Sequence, residues 1–139
     1  MSWRARSSER AVPRGEGPPR RPDPRRTLGA RGEALVADWY VEHGYTVLDR
    51  NWRCRDGELD LVLERDSVIV FCEVKTRSSD RFGAPVEAIT RVKQQRLRVL
   101  AARWLDERRP SRRDLRFDVA SVMRTRDGRI TLDVLEGAF

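Results

Sequence analysis

The residues best suited to chemistry lie in one segment, GELDLVLERDSVIVFCEVK, where two apolar runs flank a short charged break. This pattern predicts an antiparallel hairpin whose two-residue loop is Asp66-Ser67. Side chains alternate between faces along a strand, and cross-strand partners share a face. The predicted loop therefore pairs Asp60 with Glu73 and Glu58 with Lys75, so that acidic and basic groups crowd one end of the hairpin.

This crowded end has the chemistry of a metal site. Two neighbouring carboxylates repel unless a cation lies between them, and a hard divalent ion with oxygen ligands is the usual partner. Asp60 and Glu73 are therefore candidate ligands. The alternative is a ladder of salt bridges on a solvated edge strand. Ile69 and Phe71 favour the metal site, because the face that they share with Glu73 should be covered.

The leucines of the first strand are predicted to form the apolar face of the hairpin, opposite the acidic residues. Strict alternation places Leu59, Leu61 and Leu63 on one face, with Asp60 on the other. A register that pairs these leucines with valines of the second strand brings Asp60 to the side of Glu73.

Lysine is rare in this chain and is confined to two informative places. Of the 29 basic residues, only Lys75 and Lys93 are lysines. Lysine is a compact point charge that can lose its proton when buried, whereas the guanidinium group of arginine effectively cannot. Lys75 lies beside the two acids, and Lys93 extends the apolar stripe of a helix predicted at residues 86–108. Both lysines are therefore candidate functional residues.

A first helix is predicted at residues 28–43, ending at Gly44. Its apolar stripe consists of Val36, Ala37, Tyr40 and Val41. Glu33 continues this stripe one turn earlier, and a carboxylate on a buried face needs a partner. Glu33 is either a third acid of the site or a first-turn acid that interacts favourably with the helix dipole. The sequence leaves these two interpretations open.

The remaining elements define the fold class. Strands are predicted at residues 45–53, with Tyr45, Val47 and Asp49 alternating, and at 115–123 and 130–135. A polar loop is predicted at residues 76–85, before the long helix. The core stripe of that helix consists of Leu97, Leu100, Ala101, Trp104 and Leu105. This order predicts an α/β fold in which helices flank a mixed sheet of about five strands.

Composition separates the chain into a tail and one domain. Residues 1–26 hold eight Arg against three acids, and their Arg, Pro, Ser and Gly content predicts a disordered tail. Residues 27–139 are sufficient for one domain with one core. The tail either adds a nonspecific electrostatic attraction to nucleic acid, or serves solubility, or precedes a later true start of the protein.

Several classes of protein are excluded. The two cysteines, Cys54 and Cys72, lack CxxC spacing, and His43 is the only histidine. This argues against a zinc site or a disulfide framework, and free thiols suit a reducing cytosol. No apolar run approaches membrane-spanning length. We therefore expect a cytoplasmic protein that does not enter the membrane.

The candidate residues also carry a family resemblance. The matching positions are Gly32, Glu33, Asn51, Trp52, Arg53, residues 57–60, residues 71–77, Phe82, Gly83, Lys93 and residues 116–118. Together with the order of the elements, they resemble the PD-(D/E)xK nuclease superfamily and, more specifically, the YraN family of small bacterial proteins. The short length and the helical Glu33 are also similar to archaeal Holliday-junction resolvases. One departure is Leu59, which stands where the superfamily nominally has Pro.

The resemblance implies a restriction-endonuclease-like fold and a Mg²⁺- or Mn²⁺-dependent endodeoxyribonuclease. In that family pattern Asp60 and Glu73 would bind the metal, and Glu33 would help to position it. Lys75 would orient the attacking water or neutralise charge in the transition state.

The resemblance also implies that the partner is nucleic acid. Arg77 and Lys93 would contact phosphate groups, and branched or single-stranded DNA is the expected substrate. The sequence leaves the oligomeric state open, and a homodimer is one option. The alternative hypotheses are a noncatalytic nucleic-acid-binding protein and an interaction module of a DNA-processing complex, because such folds are also used for binding alone.

Overall fold

The computed structural model describes residues 24–78, 89–111 and 113–139, which form two helices and five strands. The elements are α1 (Pro24–Glu42), β1 (Thr46–Cys54), β2 (Gly57–Arg65), β3 (Val68–Ser78), α2 (Arg91–Arg108), β4 (Asp114–Arg124) and β5 (Ile130–Leu135). The predicted α/β class with a mixed five-stranded sheet is confirmed, and the architecture is consistent with a restriction-endonuclease-like fold.

The strands lie in the order in which they occur in the chain, β1-β2-β3-β4-β5. All neighbouring pairs are antiparallel except β3 and β4, which are parallel. A parallel pair needs a long crossover connection, and α2 lies within that connection. The crossover covers one face of the sheet with α2, whereas α1 packs on the other face.

An apolar cluster fills the interface between the sheet and each of the two helices. On the α2 face, Trp104 and Leu100 pack against a cluster that includes Phe71 and Phe117. On the α1 face, Val36, Ala37 and Tyr40 pack against residues that include Leu61, Leu63, Val70, Cys72, Ala120 and Val122. Within the described residues, the sheet therefore has one helix packed on each of its faces.

Helix α1 is longer than predicted. It begins at Pro24 rather than at residue 28, and Gly44 with a φ of 89° follows its end, as predicted for a helix cap. The predicted core positions Val36, Ala37 and Tyr40 are fully buried, but Val41 is 54% exposed. Residues 1–23, which form most of the predicted tail, lie outside the described residues.

Helix α2 begins later than predicted. Ile89 and Thr90 precede it, and the Thr90 hydroxyl accepts a hydrogen bond from the Lys93 backbone N–H at 3.2 Å. This N-cap fixes the start of the helix at Arg91. The predicted stripe of Leu97, Leu100, Ala101 and Trp104 is buried, and Leu105 is partly buried. Residues 79–88, on which most of the predicted polar loop falls, lie outside the described residues, and residues 76–78 belong to β3.

The hairpin loop is confirmed, and the predicted register is confirmed from Arg65 and Val68 as far as Leu61 and Cys72. Asp66 and Ser67 have φ angles of 50° and 66°, and two positive φ angles are the requirement of a type I′ hairpin turn. Glu64 pairs with Ile69, as predicted. The ladder continues as far as Leu61 and Cys72 and ends there.

The predicted alternation of the leucines is wrong at one position. Leu61 and Leu63 pack on the α1 face, but Leu59 packs with Trp52 and Val62 on the α2 face. In β1 the alternation is also interrupted, because the register shifts between Val47 and Asp49. Neither strand therefore keeps the regular alternation that the sequence predicts.

A second prediction fails because of that shift. Val47 packs on the α1 side of the sheet. Asp49 lies on the other side, where its carboxylate accepts hydrogen bonds from Trp104 and Arg108 of α2.

Among the described residues, no helix is long and apolar enough to cross a membrane.

Candidate metal-binding site

The candidate site lies where β2 and β3 separate. The β2–β3 ladder ends at Leu61 and Cys72, so the next backbone groups of β3 lose their partners in β2. The Val74 N–H instead donates to Asp60 Oδ2 at 2.8 Å. Because buried backbone donors need acceptors, this bond ties the Asp60 carboxylate to β3 and holds the two strands together at their point of divergence.

Four carboxylates converge at this point. Single carboxylate oxygens of Glu33, Glu58 and Asp60 all lie within 4.8 Å of one another, and all three residues are half-buried. Glu73 joins this group electrostatically, because its carboxylate raises the pKa of Asp60. The structure therefore brings together the three acids that the sequence singled out, on α1, β2 and β3, and adds Glu58 to them.

The electrostatics of the cluster are those of crowded acids. Burial, and next the neighbouring Glu73 carboxylate, raise the pKa of Asp60 to about 8, although the Val74 N–H works in the opposite direction. Burial and the Glu58 carboxylate likewise raise the pKa of Glu33, which a hydrogen bond from the Asn51 side chain partly offsets. A cation bound among these oxygens would offset the repulsion between carboxylates that contributes to the raised pKa values of Asp60 and Glu33.

Close packing places Glu33 on the sheet. A methyl group at the preceding residue, Gly32, would lie 2.5 Å from Thr76 Oγ1 of β3. Only glycine therefore lets α1 approach β3 this closely without a shift of structure. The carboxylate of Glu33 reaches the cluster because of this contact.

The two lysines lie on the α2 side of the cluster. Lys93 Nζ is 2.5 Å from Glu73 Oε2, and the Glu73 side chain is only 11% exposed. Lys75 is half-buried in β3, and strand alternation places it on the face of Glu73, opposite Thr76. Arg77 follows in the same strand, two positions further along, rather than in a loop.

The predicted extension of the hairpin ladder, which pairs Asp60 with Glu73 and Glu58 with Lys75, is not formed. Glu58 lies opposite Arg53 of β1, and Arg53 Nε donates to Glu58 Oε2 at 2.5 Å. The sequence predicts that Glu58 pairs with Lys75 and does not identify Glu58 as a residue of the site. The signal that could have identified it is its spacing of two residues from Asp60, which lets both acids lie at one end of β2.

The donor set fits a hard divalent cation. All four candidate ligands are carboxylates, and Mg²⁺ and Mn²⁺ prefer oxygen donors. Glu33, Glu58, Asp60 and Glu73 could hold such an ion, which would supply charge stabilisation at a bound phosphate. Cys72 adjoins the cluster, but its thiol is buried and its pKa is raised by that burial, which keeps it protonated.

Asp118 is a structural acid rather than a member of the site. It is fully buried, and Tyr40 donates to its Oδ2 at 2.6 Å. Arg116 adds two hydrogen bonds, at 2.8 and 2.9 Å, and the Gly137 N–H adds one at 3.0 Å. These contacts connect α1, β4 and the C-terminal segment, and they satisfy a charge that would otherwise be costly to bury.

Comparison with known proteins locates the chain among relatives. The model of the uncharacterised protein family UPF0102 matches residues 32–122, a range that contains every candidate site residue. A UPF0102 protein of Beutenbergia cavernae is 52% identical over 110 residues, which cover 79% of this chain and 93% of the relative. UPF0102 proteins of a Nocardioides species and of Frankia alni are each 49% identical, over 81% of this chain and 91% and 93% of their own lengths.

Proposed function

This chain belongs to the uncharacterised protein family UPF0102, the YraN family that its sequence resembles, and we propose that it is a divalent-cation-dependent endonuclease that hydrolyses DNA phosphodiester bonds. The observation that carries the proposal is the convergence of Glu33, Asp60 and Glu73 from three different elements. Structural acids are normally paired with cations or backbone donors, whereas carboxylate oxygens of Glu33 and Asp60 lie within 4.8 Å of each other and the Glu73 carboxylate raises the pKa of Asp60.

Each side chain has a role in this proposal. Asp60 and Glu73 would hold the cation, and Glu33 would help to position it. A bound divalent ion supplies a Lewis acid for the scissile phosphate and lowers the pKa of a coordinated water. Lys75 stands on the face of Glu73, where its ammonium group orients the attacking water or stabilises charge on the phosphate.

DNA is the proposed substrate because the chain is strongly basic and because the site suits a phosphodiester. The net charge of +7 provides the sequence-independent attraction to phosphates on which DNA binding depends. Arg77 and Lys93 flank the acids from β3 and α2, as phosphate contacts would. Branched or single-stranded DNA is the preferred form, on the resemblance to archaeal Holliday-junction resolvases.

The test is cleavage of a panel of duplex, single-stranded and four-way-junction DNA by the full-length protein, with Mg²⁺ or Mn²⁺ and with EDTA. We expect cation-dependent cleavage that is lost in Asp60→Asn and in Glu73→Gln, because each variant removes a metal-binding charge. Asp106→Asn, at an 82% exposed position of α2, is the matched control and should cleave normally. Cleavage that persists in EDTA or in both site variants would rule out the proposed mechanism.

A second candidate function is noncatalytic binding of nucleic acid. The observation in its favour is the ion pair between Lys93 and Glu73, which neutralises one of the four acids without a metal. This hypothesis predicts DNA binding that weakens steeply with salt and no cleavage of any substrate in the same panel. The cleavage assay therefore distinguishes the two functions.

A further inference from the structure

Asn51 has a backbone conformation that is unusual within a strand. Its φ is 49°, in the left-handed region, although it lies inside β1. The other non-glycine residues with positive φ in the described parts of the chain lie in the hairpin turn, at Asp66 and Ser67, and at the α2 C-cap, Arg109. Asparagine tolerates this region better than most residues with a Cβ, and such strain inside an element often accompanies a functional site.

The position of Asn51 in the register explains what this conformation does. Arg50 pairs with Leu61 and Trp52 pairs with Leu59, so Asn51 and Asp60 are the residues between these two pairs. One residue lies between the pairs on each strand, so no residue is inserted here. A left-handed residue nevertheless redirects the side chains that follow it, as in bulges that re-aim side chains beside active sites.

A change of face is visible in β2. Trp52 and Leu59 pack on the α2 face, whereas Leu61, two residues beyond Leu59, packs on the α1 face. Asp60 lies at this change of face. Its carboxylate therefore reaches Glu33 of α1 and also interacts electrostatically with Glu73, whose ion pair with Lys93 comes from α2.

The side chain of Asn51 contacts the same site. A hydrogen-bonding interaction with its amide lowers the pKa of the Glu33 carboxyl, against the burial and the neighbouring carboxylates that raise it. Among the acids of the cluster, Glu33 has the carboxylates of Glu58 and Glu73 as unfavourable neighbours, and a neutral amide donor favours its ionised form. One residue thus joins the strand distortion at Asp60 to the helix that carries Glu33.

We propose that Asn51 is a positioning residue of the acidic site, in which the left-handed backbone turns Asp60 towards Glu33 and the side-chain amide holds the Glu33 carboxylate for the divalent cation. This inference rests on the proposed metal-dependent function. Asn51 binds no metal itself in this scheme. It acts through Asp60 and Glu33, as residues that orient metal ligands do.

The two contributions of Asn51 can be separated by substitution. Asn51→Gly keeps a residue that adopts the left-handed conformation freely but removes the amide, whereas Asn51→Ala removes both. Mn²⁺ affinity, measured by electron paramagnetic resonance on the full-length protein, is the first readout. We expect Asn51→Gly to weaken Mn²⁺ binding about tenfold, and Asn51→Ala to weaken it further and to lower Tm. Ser67→Gly, at the left-handed turn position, is the matched control and should leave Mn²⁺ affinity unchanged.

A second readout does not depend on metal. In EDTA, a double-mutant cycle compares the Tm change caused by Asn51→Gly in the wild type and in Glu33→Ala. If the amide holds the Glu33 carboxylate, the loss of Tm is larger in the wild type than in Glu33→Ala.

The outcomes distinguish the inference from the function on which it rests. Wild-type Mn²⁺ affinity in Asn51→Gly, or additive Tm changes in the cycle, overturns the role of the amide. Wild-type Mn²⁺ affinity in Asn51→Ala overturns the positioning role as a whole, while the metal-dependent function stands. A wild-type protein that binds no Mn²⁺ overturns the proposed function and the positioning role together.

Discussion

Lys93 Nζ lies 2.5 Å from Glu73 Oε2, which places an ammonium group from the first turn of α2 against an acid of the candidate metal site. The Lys93 side chain is 44% exposed, whereas Glu73 is nearly covered. A divalent cation that binds Glu73 therefore shares this carboxylate with Lys93 or replaces it. Lys93, once released, would be available to a phosphate group beside the cation.

This relationship predicts opposite effects on metal and on DNA. Lys93→Met should tighten Mn²⁺ binding about fivefold, because the variant removes a positive charge next to the site. The electrostatic interaction of a partly exposed charge pair contributes roughly 1 kcal/mol, which corresponds to this change in affinity. The same variant should bind DNA more weakly. Electron paramagnetic resonance and DNA-binding titrations measure the two effects. Arg91→Met, which removes an exposed charge from the same helix end, is the control for a general electrostatic effect, and an equal change in both variants would contradict the specific role of Lys93.

Lys75 and Arg77 should differ in the step that they affect. Lys75→Met is expected to lower kcat by roughly two orders of magnitude while Mn²⁺ binding is retained, because its charge acts on the reacting phosphate or water. Arg77→Met should mainly raise KM, since a phosphate contact contributes to binding. Steady-state cleavage kinetics on the best substrate separate these parameters. A normal kcat in Lys75→Met would remove this lysine from the catalytic assignment.

The raised pKa of Asp60 predicts a pH dependence of stability in the metal-free protein. The folded-state pKa of about 8 lies above the ordinary value of 3.8, so the fold favours the protonated carboxyl. This contribution to stability is fully present below about pH 4 and is lost as pH rises through about 8. Asp60→Asn lacks the titration, so its Tm should rise relative to that of the wild type as pH increases.

Thermal unfolding in EDTA between pH 5 and pH 9 measures this difference. Asp106→Asn on the exposed face of α2 is the control, and its Tm should follow that of the wild type across the range. A constant difference in Tm between Asp60→Asn and the wild type would show that Asp60 does not titrate as its surroundings predict.

Two glycines of α1 provide a matched pair for the packing of the helix on β3. Gly32→Ala forces a methyl group against Thr76 Oγ1, so α1 should move away from β3, with a lower Tm and weaker Mn²⁺ binding through Glu33. Gly29→Ala meets no heavy atom within 4 Å and should be neutral or stabilising by up to about 1 kcal/mol, because Ala is the better helix former.

A compensating change tests the cause of the Gly32→Ala defect. Thr76→Ala removes the hydroxyl and the methyl group that crowd this position, so Gly32→Ala/Thr76→Ala should recover most of the lost Mn²⁺ affinity. If the double variant stays as defective as Gly32→Ala, the defect does not come from contact with Thr76.

The parts of the fold that local patterns determine could be predicted from the sequence. The Asp66-Ser67 turn and the pairing of Glu64 with Ile69 followed from turn chemistry and from the two-residue period of the strands. The convergence of Asp60 with Glu73 followed from the same register. These features depend on interactions between residues that are close in the chain, which is why one sequence was sufficient to predict them.

Other features depend on backbone conformation or tertiary packing that polarity does not encode. Leu59 was placed on the wrong face because a left-handed residue at Asn51 leaves no mark in a pattern of apolar and polar residues. Glu58 was assigned to Lys75 because the separation of β2 from β3 was not foreseen. Predicting the contact between Lys93 and Glu73 requires knowledge of where the crossover places α2 on the sheet, and the sequence of the helix alone does not provide it.

The parallel pairing of β3 with β4 has a consequence for the order of folding. The acids of the site lie on α1 and on the β1-β2-β3 meander, whose hairpins close short loops. By contrast, β3 pairs with β4 across the whole crossover, Val68 with Asp114, and such non-local pairings form slowly. Lys93 lies in α2, which is part of that crossover. We therefore expect the acids of β2 and β3 to approach each other early, through local pairings, whereas Glu33 and Lys93 join them only when α1 packs on β3 and the crossover is complete.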